Sequence, residues 1–131
     1  MLQSFQYSAL VSVLALLVYV WVSLKVGGAR AKYKTPAPAM SGPPEFERVF
    51  RVQMNTLEQI VLFLPALWMF AAVWGDVIAA CIGIFWPIGR IIYARAYYVA
   101  AEKRGAGFGL TFLPSVILLL GALAGIVKGM I

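Results

Sequence analysis

Four apolar segments, each about as long as a membrane span, follow one another along the chain. They run from about Tyr7 to Val26, Val49 to Trp74, Val77 to Tyr98 and Phe108 to Val127. An α-helix of about 20 apolar residues crosses the hydrocarbon core of a bilayer, and none of these segments shows the alternation of barrel strands. The pattern predicts an all-α membrane protein, a four-transmembrane-helix bundle in a single domain over residues 1–131.

The polar connections indicate where the helices end. Residues 27–44, rich in Pro, Gly and basic side chains, are interpreted as a loop. Residues 43–47, with two prolines and then two glutamates, are a helix-start signal, so the second helix is predicted to begin at Pro44. Gly75-Asp76 predicts a tight turn after it, and residues 103–109, with three glycines, predict a link between the third and fourth helices.

Composition narrows the class of protein further. Hydrophobic residues make up 63% of the chain and charged residues 12%. This excludes a disordered chain and a water-soluble nucleic-acid binder, because a soluble protein needs more polar surface. The chain has no histidine, which excludes a His-based triad and a His-ligated metal. Its one cysteine, Cys81, excludes an internal disulfide, and its apolar surroundings predict a buried core position.

The basic residues indicate an orientation in the membrane. Of the 11 lysines and arginines, only Lys128 falls at the end of the bundle that carries both termini, so ten share the other end. The positive-inside rule makes that end cytoplasmic. We therefore expect a multi-pass membrane protein, in the inner membrane if the source is bacterial, with both termini outside the cytoplasm.

Polar residues at helical spacing interrupt the second and third apolar segments. Each set lies on one helix face, and the two sets together are Arg48, Arg51, Asn55 and Glu58, and Arg90, Tyr93, Tyr97 and Arg104. Two such stripes on adjacent helices predict a shared polar crevice, in which Glu58 pairs with Arg90 or with another arginine. A buried ion-pair network that only fixes helix packing is one interpretation. Four arginines accompany a single carboxylate on these stripes, which favours the other interpretation, a site for a polar anion.

The stripe on the second helix resembles a family signature. Glu47-Arg48-x-x-Arg51-x-x-x-Asn55-x-x-Glu58 resembles the helix-two pattern of the MAPEG family, the membrane-associated proteins of eicosanoid and glutathione metabolism. Arg90-x-x-Tyr93-x-x-x-Tyr97, followed by Arg104, resembles the pattern of its third helix. The likeness is nearest the branch of the microsomal glutathione transferases and leukotriene-C synthase.

The resemblance implies a homotrimer with glutathione as co-substrate, bound between neighbouring subunits, and with the active site toward the cytoplasm. It implies that Arg104 activates the thiol. The residues that it implies bind glutathione are Arg30, Arg51, Gln53, Asn55, Glu58, Tyr93 and Tyr97. Arg90 is added to this set from its place on the stripe, either as a contact or as structural support. No metal is implied, and the second substrate is a lipophilic electrophile from the bilayer.

The resemblance leaves more than one function open. Gln59 and Ala31 stand where leukotriene-C synthase has a tyrosine and an arginine. We therefore expect a glutathione S-transferase of broad substrate range, with lipid hydroperoxide reduction as a second activity, rather than a specialised leukotriene synthase. The alternatives are a non-catalytic lipid-binding member of the family and a small multidrug transporter. The transporter is disfavoured because intramembrane arginines repel cationic substrates.

Overall fold

The computed structural model describes residues 2–131 as a bundle of helices, four of whose segments are long and apolar enough to span a membrane. The α-helices are α1 (Gln6–Lys32), α2 (Pro44–Trp74), α3 (Asp76–Gly83), α4 (Phe85–Val99) and α5 (Gly105–Met130). Short 3₁₀ turns cover Leu2–Phe5 and Ala101–Arg104. The third span consists of α3 and α4 together.

Two predicted boundaries are confirmed. The second helix begins at Pro44, where a proline lacking its N–H is tolerated, and it carries Glu45 and Glu47 in its first turn. It ends at Trp74, and the next residue, Gly75, has a φ of 108° in the region that favours glycine; α3 starts at Asp76. The chain therefore reverses direction within one residue, which fixes α2 and the third span as antiparallel neighbours.

Two predicted loops are longer than the structure shows. The segment 27–44 is loop only from residue 33, because α1 continues through Gly27 and Gly28 to Lys32. The glycine-rich stretch 103–109 is mostly helical, since α5 already begins at Gly105. Its Gly107 is buried against the backbone of Tyr93, so this glycine allows close packing rather than flexibility.

The third span is interrupted at Ile84, three residues before Pro87. Proline has no N–H to donate to the carbonyl four residues earlier, here that of Gly83, so the regular helical ladder breaks there. Ile84 keeps helical dihedrals (φ −61°, ψ −25°), and the chain continues in the same direction. The interruption is therefore a modest local effect of Pro87 on the third span.

The start of α1 and the end of α5 both lie at the end of the bundle that carries the Gly75 turn. The carboxylate of Asp76 accepts hydrogen bonds from the backbone N–H groups of Tyr7 (3.0 Å) and Ser8 (2.7 Å), which α1 leaves free at its start. Near the other terminus, the Lys128 ammonium lies 5.7 Å from the centre of the Trp74 ring. The predicted shared location of the termini is confirmed, and the loop 33–43 and the turn 101–104 lie at the opposite end.

The interior and the outside of the bundle are both apolar. Inside, Phe63 of α2 stacks on Trp86 of α4, with ring centres 4.8 Å apart. Outside, large aliphatic side chains such as Leu24 (71% exposed) and Leu113 (62%) project from the helices. Cys81 is exposed among them, so its predicted core position is wrong. A surface of this kind is suited to lipid, and the chain is an integral, multi-pass membrane protein.

Candidate functional site

A small polar cavity opens between α2 and α4, at the end of the bundle opposite the termini. Its volume is about 120 Å³, and Arg51, Met54, Asn55, Glu58, Tyr93, Tyr97 and Arg104 line it. Six of these seven side chains are polar residues that the sequence assigned to one crevice. We call this cavity the polar pocket. The predicted meeting of the two stripes is therefore present in the structure.

The helices bring these residues together from three directions. Arg51, Asn55 and Glu58 follow spacings of four and three on α2 and so share one face of it. Tyr93 and Tyr97 are one turn apart on α4, with their ring centres 5.5 Å apart. Each helix therefore presents its residues as one continuous wall of the polar pocket.

Arg104 closes the polar pocket from the turn between α4 and α5. The extended residue Ala100 ends α4, and the 3₁₀ turn that follows sets Arg104 immediately before α5. Its guanidinium donates a hydrogen bond to the Ala101 carbonyl (2.9 Å) and lies 5.6 Å from the Tyr97 ring centre. Arg104 remains exposed, so it can meet a ligand without leaving this position.

Arg90 lies beneath the polar pocket and has no exposed surface. Its guanidinium donates to Thr56 Oγ1 (3.0 Å), Asn55 Oδ1 (3.3 Å) and Thr111 Oγ1 (3.5 Å). The Cζ atom is also 4.0 Å from the centre of the Tyr93 ring. The predicted pairing of Arg90 with Glu58 is therefore wrong, and in the described residues no ion pair involves Glu58.

The two threonines that hold Arg90 were missed from the sequence. Thr56 donates its hydroxyl proton to the Val52 carbonyl, and Thr111 donates its own to the Phe108 carbonyl. With their protons committed to the helix backbone, both hydroxyl oxygens are oriented as acceptors for the guanidinium. No signal in a single sequence could have found them, because the burial of both threonines in facing helices is visible only in the structure.

Three residues of the predicted site or stripe lie elsewhere. Arg30 donates to the carbonyls of Thr35 and Ala39, and thereby holds the loop 33–43 against α1. Gln53 donates to Ser23 Oγ on α1 (3.3 Å). Two residues along a helix turn it by about 200°, so Gln53 faces nearly opposite to Asn55. The third is Arg48, whose Nε donates to the Tyr98 carbonyl.

The described residues contain no group of His, Cys, Asp and Glu side chains that could hold a metal ion. The polar pocket instead offers two guanidinium groups, one carboxylate, two phenols and an amide. Such a set can bind an anionic ligand that also carries one positive group, and it can stabilise a negative charge that forms on that ligand.

The fold and the polar pocket define a multi-pass helical membrane protein with a cationic site near one end of its bundle. The chain belongs to the MAPEG family, whose model matches residues 8–124. The resemblance seen in the sequence is therefore confirmed.

Curated relatives match most of the chain. It is 52% identical over 120 residues to an uncharacterized protein of Synechocystis sp., a match that covers 92% of this chain and 88% of the other. It is 43% identical over 116 residues to human microsomal glutathione S-transferase 2, with 88% and 79% covered. It is 40% identical over 96 residues to leukotriene C4 synthase of Rattus norvegicus, with 73% and 64% covered.

Proposed function

We propose that this chain is a membrane glutathione S-transferase that conjugates the glutathione thiol to lipophilic electrophiles. The observation that carries the proposal is the polar pocket, where Arg51, Glu58 and Arg104 converge with two tyrosines. The relatives named as glutathione S-transferase and leukotriene C4 synthase support the same chemistry. Reduction of lipid hydroperoxides by the same activated thiol is included in the proposal.

The polar pocket suits the charges of glutathione, which carries two carboxylates, one ammonium group and a thiol. Arg51 offers a carboxylate partner, and the Glu58 carboxylate offers an ammonium partner. Asn55, Tyr93 and Tyr97 supply hydrogen bonds without adding charge. Glutathione therefore binds through charge complementarity at its ends and neutral contacts between them.

Arg104 is proposed to activate the thiol. A free thiol has a pKa near about 8.5 and is mostly protonated at neutral pH, whereas the thiolate is the nucleophile. Arginine stays protonated and cannot take up the proton. It can lower the pKa of the bound thiol by stabilising the thiolate, so that the proton leaves to water. The start of α5 directly after Arg104 adds partial positive charge at the same point.

Arg90 is proposed to act from below the polar pocket rather than by touching glutathione. Its side-chain hydrogen-bond partners are neutral oxygens, so its positive charge is not cancelled by a contact with a carboxylate. A buried charge is weakly screened, and it raises the potential felt by an anion above it. The same contacts hold Asn55 and the Tyr93 ring in place. Arg90 is therefore a positioning residue in this proposal.

Two features support a site shared between subunits. A volume of about 120 Å³ is small beside the 300–1,000 Å³ of typical ligand pockets, so one protomer encloses only part of a tripeptide. Arg30 and Gln53, implied as glutathione contacts, lie away from the polar pocket of their own protomer. Arg30 and Gln53 can therefore contact glutathione only when it is bound in the polar pocket of a neighbouring subunit. We propose that the assembly is the homotrimer implied by the family resemblance.

The membrane placement follows the charge distribution. We propose that the end carrying the polar pocket faces the cytoplasm, where glutathione is available, and that both termini face the other side. Residues 1–131 then form one membrane domain, and the electrophile enters from the bilayer. In a bacterium the location is the inner membrane.

The test is glutathione-dependent conjugation of a chlorinated nitrobenzene by protein purified in detergent. We expect turnover with glutathione and none with S-methylglutathione, which lacks the thiol. The ultraviolet absorbance of the thiolate should appear when glutathione is added and should be lost with S-methylglutathione. Glutathione binding without thiolate formation, and without conjugation of any electrophile tried, would instead identify a non-catalytic member of the family.

A further inference from the structure

A long groove runs along the bundle where α1 and α4 lie apart. Its deeper part has a volume of about 510 Å³ and is lined mainly by aliphatic side chains, including Leu17, Val18, Ile88 and Ile91. A second cavity of about 470 Å³ lies nearer the loop 33–43. Trp21 lines both, so the two cavities adjoin at this residue, and we call them together the α1–α4 groove. The start of α2 also lines the part near the loop.

The two parts of the α1–α4 groove differ in chemistry. The part near the loop is lined by three basic residues, Lys25, Lys32 and Arg48, and by one acid, Glu45. The guanidinium of Arg48 uses its Nε to hold the Tyr98 carbonyl, and its two outer nitrogens make no hydrogen bond within the described residues. Arg95 lines the aliphatic part and adds a fourth cation. The groove is therefore apolar at membrane depth and cationic at the end where headgroups lie.

The α1–α4 groove is separate from the polar pocket. The two share no lining residue. On α4, Ile91 and Arg95 precede Tyr93 and Tyr97 by two residues, which places them about 200° away around the helix. Glutathione binding therefore leaves this groove and its cations without a role.

We propose that the α1–α4 groove binds one anionic phospholipid. Its phosphate lies among Lys25, Lys32 and Arg48, and one acyl chain lies along the aliphatic part past Trp21. Basic residues near a membrane surface attract anionic headgroups, and an aromatic ring at the junction suits the boundary between headgroup and chain. A free anion would leave the aliphatic part unfilled. A zwitterionic lipid would bring a second positive charge toward the same cations.

The test measures lipid retention by native mass spectrometry of the full chain in detergent. The protein is incubated with mixed micelles of phosphatidylglycerol or phosphatidylcholine with identical chains. We expect one phosphatidylglycerol per protomer, retained in strong preference to phosphatidylcholine. The double variant Lys25→Gln/Lys32→Gln should bind phosphatidylglycerol roughly thirtyfold more weakly.

A matched control separates this groove from general surface charge. Lys34→Gln/Lys103→Gln removes the same two charges from the same end of the bundle, at residues outside the groove, and should retain the lipid. A steric variant tests the position independently. A Cβ atom at Gly28 meets no atom within 4 Å although Gly28 lines the groove, so Gly28→Phe should fill the groove and release the lipid. Gly129→Phe, at the far end and equally unobstructed, should not.

Three results would overturn the proposal. One is equal retention of the two lipids, and another is equal loss in the two charge-matched double variants. The third is unchanged retention in Gly28→Phe, which is also what a groove covered by a neighbouring copy of the chain would give. Lys25 and Lys32 are exposed, so their substitution should preserve the helix packing, and the charge comparison tests the proposal even if Gly28→Phe folds poorly.

Discussion

Two arginines of the polar pocket should affect catalysis in different ways. Arg104→Ala should chiefly lower kcat, because its proposed partner is the sulfur, whose charge distinguishes the reactive state. Arg51→Ala should chiefly weaken glutathione binding, because its proposed partner is a carboxylate that is charged throughout the reaction. Loss of one charge-assisted hydrogen bond costs about 1.5–3 kcal/mol, or roughly ten- to a hundredfold in affinity.

Thiolate absorbance as a function of pH provides the measurement for Arg104. The bound thiol should titrate at higher pH in Arg104→Ala than in the wild type. A wild-type titration together with normal turnover would remove Arg104 from its proposed role. The Tyr93→Phe and Tyr97→Phe variants would then show which phenol donates to the sulfur.

The threonines below the polar pocket give a second prediction at the scale of single residues. Thr56→Val keeps the shape but removes the 3.0 Å acceptor of the buried Arg90 guanidinium. Stability should fall by about 1–3 kcal/mol, because a buried charged donor loses a partner. Thermal unfolding in detergent measures this, and Thr56→Ser, which keeps the hydroxyl, should restore most of it. Equal melting temperatures for Thr56→Val and the wild type would show that Arg90 is satisfied without Thr56.

Sequence spacing predicts which residues share the polar pocket but not which groups accept hydrogen bonds from Arg90. Helical periodicity brings Arg51, Asn55 and Glu58 to one face whatever their partners are. The choice between Glu58 and a threonine as the partner of Arg90 depends on the rotation and depth of three helices. Charge alone favours the carboxylate. The expected ion pair was therefore wrong, although both residues were correctly assigned to their helix faces.

At the scale of helices, Gly107 should set the distance between α5 and α4. A Cβ atom at this position would overlap the backbone of Tyr93, which cannot move aside as a flexible side chain could. Gly107→Ala should therefore destabilise the protein by about 1–3 kcal/mol and displace Arg104 from the polar pocket. Unfolding midpoints and glutathione turnover should both fall.

Gly109→Ala is the matched control for Gly107→Ala. A Cβ atom at Gly109 meets nothing within 4 Å, and alanine is favoured over glycine in a helix by about 1 kcal/mol. This variant should be as stable as the wild type or more so. Similar effects of the two substitutions would mean that the Tyr93 contact does not limit the packing.

The helix boundaries differ in how well the sequence predicts them. At Pro44 and Gly75 the local chemistry decides, because a proline can start a helix and a residue with positive φ ends one. Within residues 103–109, by contrast, Gly107 is required by its contact with the neighbouring helix α4. A glycine needed for close approach and a glycine needed for flexibility look alike in one sequence, so the start of α5 could not be predicted.

At the scale of the whole molecule, the orientation in the membrane can be tested with single cysteines. In a Cys81→Ser background, Lys103→Cys and Lys128→Cys place a thiol at opposite ends of the bundle. With both termini outside the cytoplasm, a membrane-impermeant maleimide should label Lys128→Cys in intact spheroplasts. It should label Lys103→Cys only after permeabilisation. The reverse pattern would show that the basic end faces outward.

The assembly is tested by combining two inactive chains. One carries Arg30→Ala and Gln53→Ala, and the other carries Arg51→Ala and Arg104→Ala. If each site takes one set of residues from one subunit and the other set from its neighbour, co-expression should rebuild intact sites. With random mixing in a ring, each of the two residue sets at a site is intact with a chance of about one half. About a quarter of the sites should therefore be intact, relative to the wild-type assembly. A site built within one protomer predicts instead that the Arg30→Ala/Gln53→Ala chain is active by itself, because both residues lie away from the polar pocket of their own protomer. Mixing the two proteins after separate purification is the control, since stable assemblies that cannot exchange subunits should stay inactive.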